Sequence, residues 1–256
     1  MGKDRLGGRP EVRLRQRVSD AADRYSWHGR RHGHKLRPRR RALIETLLPK
    51  LAVECPEGGG LDAAALFDSG KEDKKELWLE IGFGAGEHLA AQAQAHPDVG
   101  FIGCEPFVNG IATLLGLIED RNLGNIRIYP DDARLLFSHL PEAGFERVFI
   151  LFPDPWPKTR HHKRRLISPE TLDHLARVMK DGGTLHFASD HMEYVRWTLD
   201  HVTRHPAFRW TASSAADWRR PRPGTPVTRY EKKATDRGLK PAYLTFCRRP
   251  RNTSEG

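Results

Sequence analysis

The chain has 256 residues, 38% of them hydrophobic and 30% charged, which bounds it to one large domain or two small ones with enough apolar mass for a real core. No apolar run approaches the roughly 18–20 residues that a spanning helix needs, and the first thirty residues lack the apolar stretch of a secretory signal. The three cysteines (Cys55, Cys104, Cys247) are far apart and form no Cys-x-x-Cys. Neither a disulfide framework nor a zinc ribbon is supported, and a reduced, cytoplasmic setting is expected. The net charge of +10 is unevenly spread: +10 over residues 1–50, −3 over 51–75, −8 over 76–157 and +11 over 158–256. An acidic middle between basic ends suggests a polyanionic partner met by the ends and different work in between.

Residues 1–50 read as a basic N-terminal extension, partly disordered, with the first forty rich in Arg and Gly and poor in apolar residues. Tyr25 and Trp27 stand among its arginines, a mixture that can stack on bases as well as pair with phosphate. Leu43, Leu47 and Leu48 repeat at helical spacing. Residues 51–75, with Gly58, Gly59 and Gly60 and a charge run, read as a linker holding at most one short helix. From Glu76 the pattern becomes regular. Strands are expected at 77–81, 101–104, 126–129, 148–152 and 184–188, and helices at 87–95, 107–120, 133–140 and 169–180. Strands alternating with helices mean parallel βαβ units in a doubly wound α/β domain over 76–249, followed by a short tail at 250–256. Two last strands, 208–212 and 243–247, flank a long Pro/Arg-rich loop at 213–241, a length that is uncommon unless functional or disordered.

The first strand runs into Glu80-Ile-Gly82-Phe-Gly84-Ala-Gly86. Glycines at that place permit a tight turn and close approach of a ligand to backbone. The pattern alone also fits a nicotinamide or flavin site, or a plain Gly-rich turn packing a helix on a sheet. Glu80 sharpens it, because a carboxylate is unwelcome beside a pyrophosphate but suits an amino group and a sulfonium. Glu105 ends the second strand, where an acid accepts from both ribose hydroxyls. Asp132 follows the third strand, in reach of an adenine amino group. Carboxylates at successive strand ends are what S-adenosylmethionine requires.

The fourth strand leads into Phe152-Pro-Asp154-Pro-Trp156-Pro-Lys158-Thr-Arg160-His161-His162-Lys163-Arg164-Arg165. Together with Leu79 through Gly86 and Thr228-Arg229-Tyr230-Glu231-Lys-Lys233, it closely resembles the bacterial tRNA (guanine-N7-)-methyltransferase family over roughly residues 76–249. The resemblance implies a Rossmann-like class I methyltransferase fold, a mostly parallel sheet with an antiparallel last strand. It also implies S-adenosyl-L-methionine as cofactor, tRNA as partner and guanine 46 in the variable loop as target. Residue by residue, the cofactor-binding positions fall on Glu80, Gly82, Gly84, Glu105, Asp132 and Asp154, with Asp154 also the catalytic candidate. Substrate-binding positions fall on Lys158, Asp190, Thr228, Arg229, Tyr230 and Glu231. The run Arg160, His161, His162, Lys163, Arg164 and Arg165 matches the family's RNA-interacting segment. Pro157 and Cys104 depart from the usual residues without touching a motif position.

Guanine N7 is a lone-pair acceptor on the Hoogsteen edge, so it can attack a methyl carbon without first losing a proton. The product is a cationic purine, and the site needs orientation and negative potential more than a strong base. Asp154 would hold guanine donors and offset the developing charge, unless it is only a turn cap after the strand. Asp190 could take a base or ribose donor or cap a helix. Glu231 could accept from guanine N1–H and N2–H₂ or merely pair with Lys232 or Lys233. Histidines 28, 32, 34, 161 and 162 lie among arginines with no ligand pattern, so no metal is expected. A monomer or homodimer without an obligate protein partner is expected. A nicotinamide oxidoreductase and a non-catalytic RNA-binding module remain rivals, separable by S-adenosylhomocysteine binding and by methyl transfer.

Overall fold

The structure is a computed structural model that describes residues 31–56, 58–67, 76–221, 226 and 229–251. Strands β1 (Glu76–Ile81), β2 (Val99–Cys104), β3 (Ile126–Tyr129), β4 (Phe145–Leu151), β5 (Met179–Ser189), β6 (Phe208–Trp210) and β7 (Ala242–Arg248) form one sheet in the order β3-β2-β1-β4-β5-β7-β6. The first five pair in parallel among themselves, while β7 runs antiparallel to both β5 and β6. This is the expected doubly wound sheet with its antiparallel last strand. β1 and β2 are buried almost throughout, as strands covered on both faces must be. Alternation still decides which face each side chain joins. Leu77, Leu79 and Ile81 enter one core with Ile102, Ile150, Leu185, Phe187 and Phe246. Trp78 enters the other with Phe101, Phe83, Leu89, Leu114 and Phe149.

The connecting helices are α1 (Pro38–Thr46), α2 (Leu48–Leu51), α3 (Glu87–Ala95), α4 (Val108–Arg121), α5 (Ala133–Leu136), α6 (Pro169–Val178), α7 (Met192–Arg204), α8 (Ala216–Arg219) and α9 (Arg229–Asp236). α6 begins at a Ser168 cap that accepts the Thr171 amide, with Pro169 in the first turn. Its end at Val178 comes two residues before the expected one, because Met179 already pairs with Phe145 and opens β5. The helix expected over 133–140 is one α-turn continued as the 3-10 turn Phe137–His139. β4 stops at Leu151, since Phe152 has φ of 52°. α7 was not foreseen, although Tyr194, Val195, Thr198 and Val202 are its buried stripe. The 213–241 loop holds α8 and α9.

Two boundaries differ from the sequence reading. Residues 51–75 are more than a linker: Val53, Leu61, Ala63 and Phe67 are buried in the core, and Val53 donates to the Ile128 carbonyl. Residues 31–50 are folded onto the sheet. Leu43 is buried in the same core as Trp78, and Arg39 pairs with Glu119 and Asp120 of α4. The rest of the basic arm, with Tyr25 and Trp27, lies outside the described residues.

The Gly-rich turn is fixed by contact with α4. A Cβ on Gly110 would stand 2.0 Å from the Gly84 carbonyl oxygen, a backbone atom that cannot swing aside. Gly110→Ala should therefore push the turn off α4, at a cost of roughly 2–3 kcal/mol as overpacking. We expect a fall in Tm of about 5–10 °C by calorimetry together with weaker ligand binding at the turn; an unchanged Tm would show that the two backbones can separate freely.

Candidate active site

The turns leaving β1, β2, β3 and β4 at their carboxyl ends enclose a cavity of about 370 Å³, where open α/β sheets place their ligands. Its wall includes Gly82, Gly84, Glu105, Asp132, Asp154 and Arg164. Phe107, Asp131 and Arg134, which the sequence had not marked, also line it, as does Trp156 of the motif after β4. Gly82 has φ of 74°, and a Cβ there would meet no atom of the described residues within 4 Å, so the space before it is open. Glu105 is buried. Its Oε2 accepts the Gly84 amide at 2.7 Å and its Oε1 the Phe107 amide at 2.9 Å. Burial pushes its pKa up to about 7, with Asp154 and Glu80 adding to the rise and the two amides opposing it. Asp132 caps α5 through the Arg134 amide and grips the Arg134 guanidinium. Asp131 accepts from Arg31 at 2.8 Å. Glu80 is not part of the cavity wall. It is buried behind the turn, with Oε2 2.7 Å from Nδ1 of a residue the sequence reading passed over, His88.

Asp154 stands at the open mouth of the cavity, solvent-exposed. Packing around the carboxyl raises its pKa above the ordinary value by desolvation. Its loop is unusual. Phe152 and Trp156 both have positive φ, 52° and 42°, a conformation that bulky residues rarely adopt and that costs on the order of 1–3 kcal/mol at each. Phe152 is tied to β5 by its amide on the Ala188 carbonyl at 2.7 Å. The basic insert then forms a 3-10 turn, Thr159–Arg164. Lys158 at its N-cap and Arg160 and Lys163 within it are exposed. His161 lies edge-on to Trp156, and the Arg164 guanidinium lies 5.0 Å from the Trp156 ring centre. His162 is 3.4 Å from Glu193.

Arg165 corrects the sequence reading. Expected to meet RNA, it is 2% exposed and donates inward to the Pro155 carbonyl at 2.9 Å and to Glu193 at 2.9 Å. Sequence counts a charge without showing which way it faces.

The other substrate candidates lie on neighbouring elements. Asp190 directly follows β5 and does not cap α7, whose N-cap is His191. Ala242 pairs with Ser189, so the start of β7 and the helix α9 before it lie at the carboxyl edge of the sheet. Arg229 of α9 is 3.2 Å from Glu87, the first residue after the Gly-rich turn. Glu231 is buried and accepts from the Tyr243 hydroxyl at 2.6 Å, a partner other than the expected lysines. Thr228 lies outside the described residues, as does the side chain of Tyr230.

A doubly wound sheet in this order, a Gly-rich turn after β1 and an acid ending β2 in the cavity define a class I S-adenosylmethionine-dependent methyltransferase. The comparisons narrow the class. The Methyltransf_4 family model, described as "Putative methyltransferase", matches residues 74–243. A tRNA (guanine-N(7)-)-methyltransferase of Rhodospirillum rubrum is 52% identical over 234 residues, 90% of each chain. The enzyme of that name from Paramagnetospirillum magneticum is 49% identical, covering 90% of this chain and 96% of its own. That from Agrobacterium fabrum is 49% identical, covering 88% and 95%. The chain belongs to the tRNA (guanine-N(7)-)-methyltransferase family.

The position of Glu105 gives a pH test. Ribose hydroxyls donate better to a carboxylate than to a carboxylic acid, so ligand affinity should fall as pH drops through about 7. Titration calorimetry of S-adenosylhomocysteine should show about tenfold weaker binding at pH 6 than at pH 8. Glu105→Gln should bind more weakly at both values and lose the difference. The same pH dependence in that variant would assign it to another group.

Proposed function

We propose that the chain transfers a methyl group from S-adenosylmethionine to N7 of guanine 46 in the variable loop of tRNA, in the compartment where tRNA is processed, the cytoplasm. The observation that carries this reading is Asp154. A carboxylate with a raised pKa stands at the mouth of a cavity bounded by Gly82, Gly84 and Glu105, and exposed Lys158, Arg160 and Lys163 follow it in the chain. The cofactor, when bound, supplies a methyl group activated by a sulfonium. The residues present fit it: Glu105 for the ribose, Asp132 for the adenine end, and the open face of Gly82 for the chain between.

Asp154 holds guanine donors and faces the positive charge that develops on the purine. No proton leaves N7 before attack, so a general base is not required. Glu231 accepts from the base, since a carboxylate offers about four acceptor sites. Asp190 takes a second donor. Glu80 bonds His88 behind the turn. Lys158, Arg160 and Lys163 neutralise phosphates.

Nucleoside analysis of an unmodified tRNA transcript after incubation with S-adenosylmethionine should yield 7-methylguanosine, lost when guanine 46 is replaced by adenine. Product that survives the replacement would move the target elsewhere. Asp154→Asn should lower the single-turnover rate by at least about 100-fold; a near wild-type rate would leave Asp154 without an electrostatic role. The arm is tested separately. Residues 1–30 carry eight Lys/Arg against four Asp/Glu, and removing them spares the Arg31–Asp131 pair. Filter binding should then show weaker tRNA affinity and a slope against log salt reduced by at least about 1. Equal affinity at every salt concentration would deny the arm a phosphate-binding role.

A further inference from the structure

We infer that Arg165 is a positioning residue for methyl transfer: from behind the Pro153–Trp156 loop it holds the backbone that presents Asp154. The inference rests on the proposed reaction and adds a residue to it. Arg165 Nε donates to the Pro155 carbonyl at 2.9 Å and Nη2 reaches the Trp156 carbonyl at 3.4 Å. The same Nη2 donates to Glu193 at the start of α7 at 2.9 Å. The guanidinium lies 5.0 Å from the Tyr194 ring centre and 4.8 Å from that of Trp197, both on α7. One side chain thus fastens the two carbonyls after Asp154 to a helix packed on the sheet.

Stability alone does not account for this arginine. Its Nη1 is buried with no hydrogen-bond partner among the described residues, and a buried charge can often be replaced by a well-packed apolar side chain of similar size without loss. A methionine would fill the space but could not donate to two successive carbonyls. Those carbonyls need holding, because Trp156 sits at φ of 42° and Phe152 at 52° on either side of Asp154. Backbone in such regions persists only when its surroundings over-determine it. At one end the Phe152 amide is fixed to β5; at the other the fixing group is Arg165. A carboxylate that must face a developing cation within a fraction of an ångström loses rate when its loop relaxes.

The experiment compares wild type, Arg165→Met, Arg165→Ala and Glu193→Ala by kcat at saturating tRNA and cofactor, tRNA Kd across a salt series, and Tm. The expected result for Arg165→Met is a loss in kcat of about 100-fold, with tRNA Kd and its salt slope within about twofold of wild type. Methylguanidine added to Arg165→Ala should restore part of kcat. Glu193 is exposed, so Glu193→Ala leaves no buried cavity and should lower kcat several-fold even where the Arg165 variants fail to fold. A retained kcat in Arg165→Met overturns the inference, as does a salt slope reduced by about one, which would make Arg165 a phosphate ligand after all. Losses that follow Tm and resist methylguanidine would make it a structural residue. If the Arg165 variants do not fold, an unchanged kcat in Glu193→Ala overturns it. Failure of wild type to form 7-methylguanosine would instead count against the reaction itself.

Discussion

Acidic side chains crowd one edge of this sheet, and much of the site follows from how that crowding is resolved. Glu105, Asp131, Asp132 and Asp154 share a single cavity wall, and Glu80 is buried directly behind it. Carboxylates so close, partly removed from water, cannot all stay ionised without compensating positive charge. The chain supplies some: Arg134 for Asp132 and Arg31 for Asp131, while Glu80 bonds His88. Among the described residues no lysine or arginine forms an ion pair with Glu105 or Asp154, and these are the two whose pKa values rise. The remaining deficit is one that a cationic ligand relieves. In the proposed reaction a sulfonium before transfer and a methylated purine after it would each bring positive charge to these acids.

Much of this edge was legible in the sequence because parallel strands end where their turns begin. Glycines after β1 and acids after β2, β3 and β4 are therefore neighbours in space however far apart they stand in the chain. Core strands of β-branched and aromatic residues were equally visible, and the helix 87–95 matched residue for residue. What stayed hidden was orientation. Arg165 reads as one more charge in a basic run, and only the fold turns it inward. His88 follows the Gly-rich turn without a pattern of its own, and its link to Glu80 depends on the first turn of α3 packing over β1. α9 was hidden for another reason. Its sequence, Arg-Tyr-Glu-Lys-Lys-Ala-Thr-Asp, offers little apolar periodicity, and its burial rests on Ala234 and on the Glu231–Tyr243 bond.

The boundaries failed for a related reason. Composition divides the chain into a basic arm, a linker and a domain, but a few apolar residues suffice to fold a polar segment onto an existing core. Leu43 does this for the arm, and Val53, Leu61 and Phe67 do it for the linker. Arg31 and Arg39, which composition assigns to the arm's positive charge, are bound to acids of the domain. Part of the basic end thus neutralises the acidic middle and is not available to a polyanion.

In the proposed reaction a polyanion must bring a base to an acidic cavity, and the distribution of charge around β4 suits both demands. Asp154 lies at the mouth, while Lys158, Arg160 and Lys163 are exposed only four to nine residues beyond it. Screening confines each charge to about 8–10 Å at ordinary ionic strength, so phosphates can be attracted to the turn without being drawn over the carboxylates. A nucleobase has no charge to repel and enters where its phosphates cannot. Separation depends on the turn keeping its basic side chains outward, and the inward arginine contributes to that as well. By ending the basic run on the buried side, Arg165 ties the insert to α7, while Lys158, Arg160 and Lys163 stay exposed.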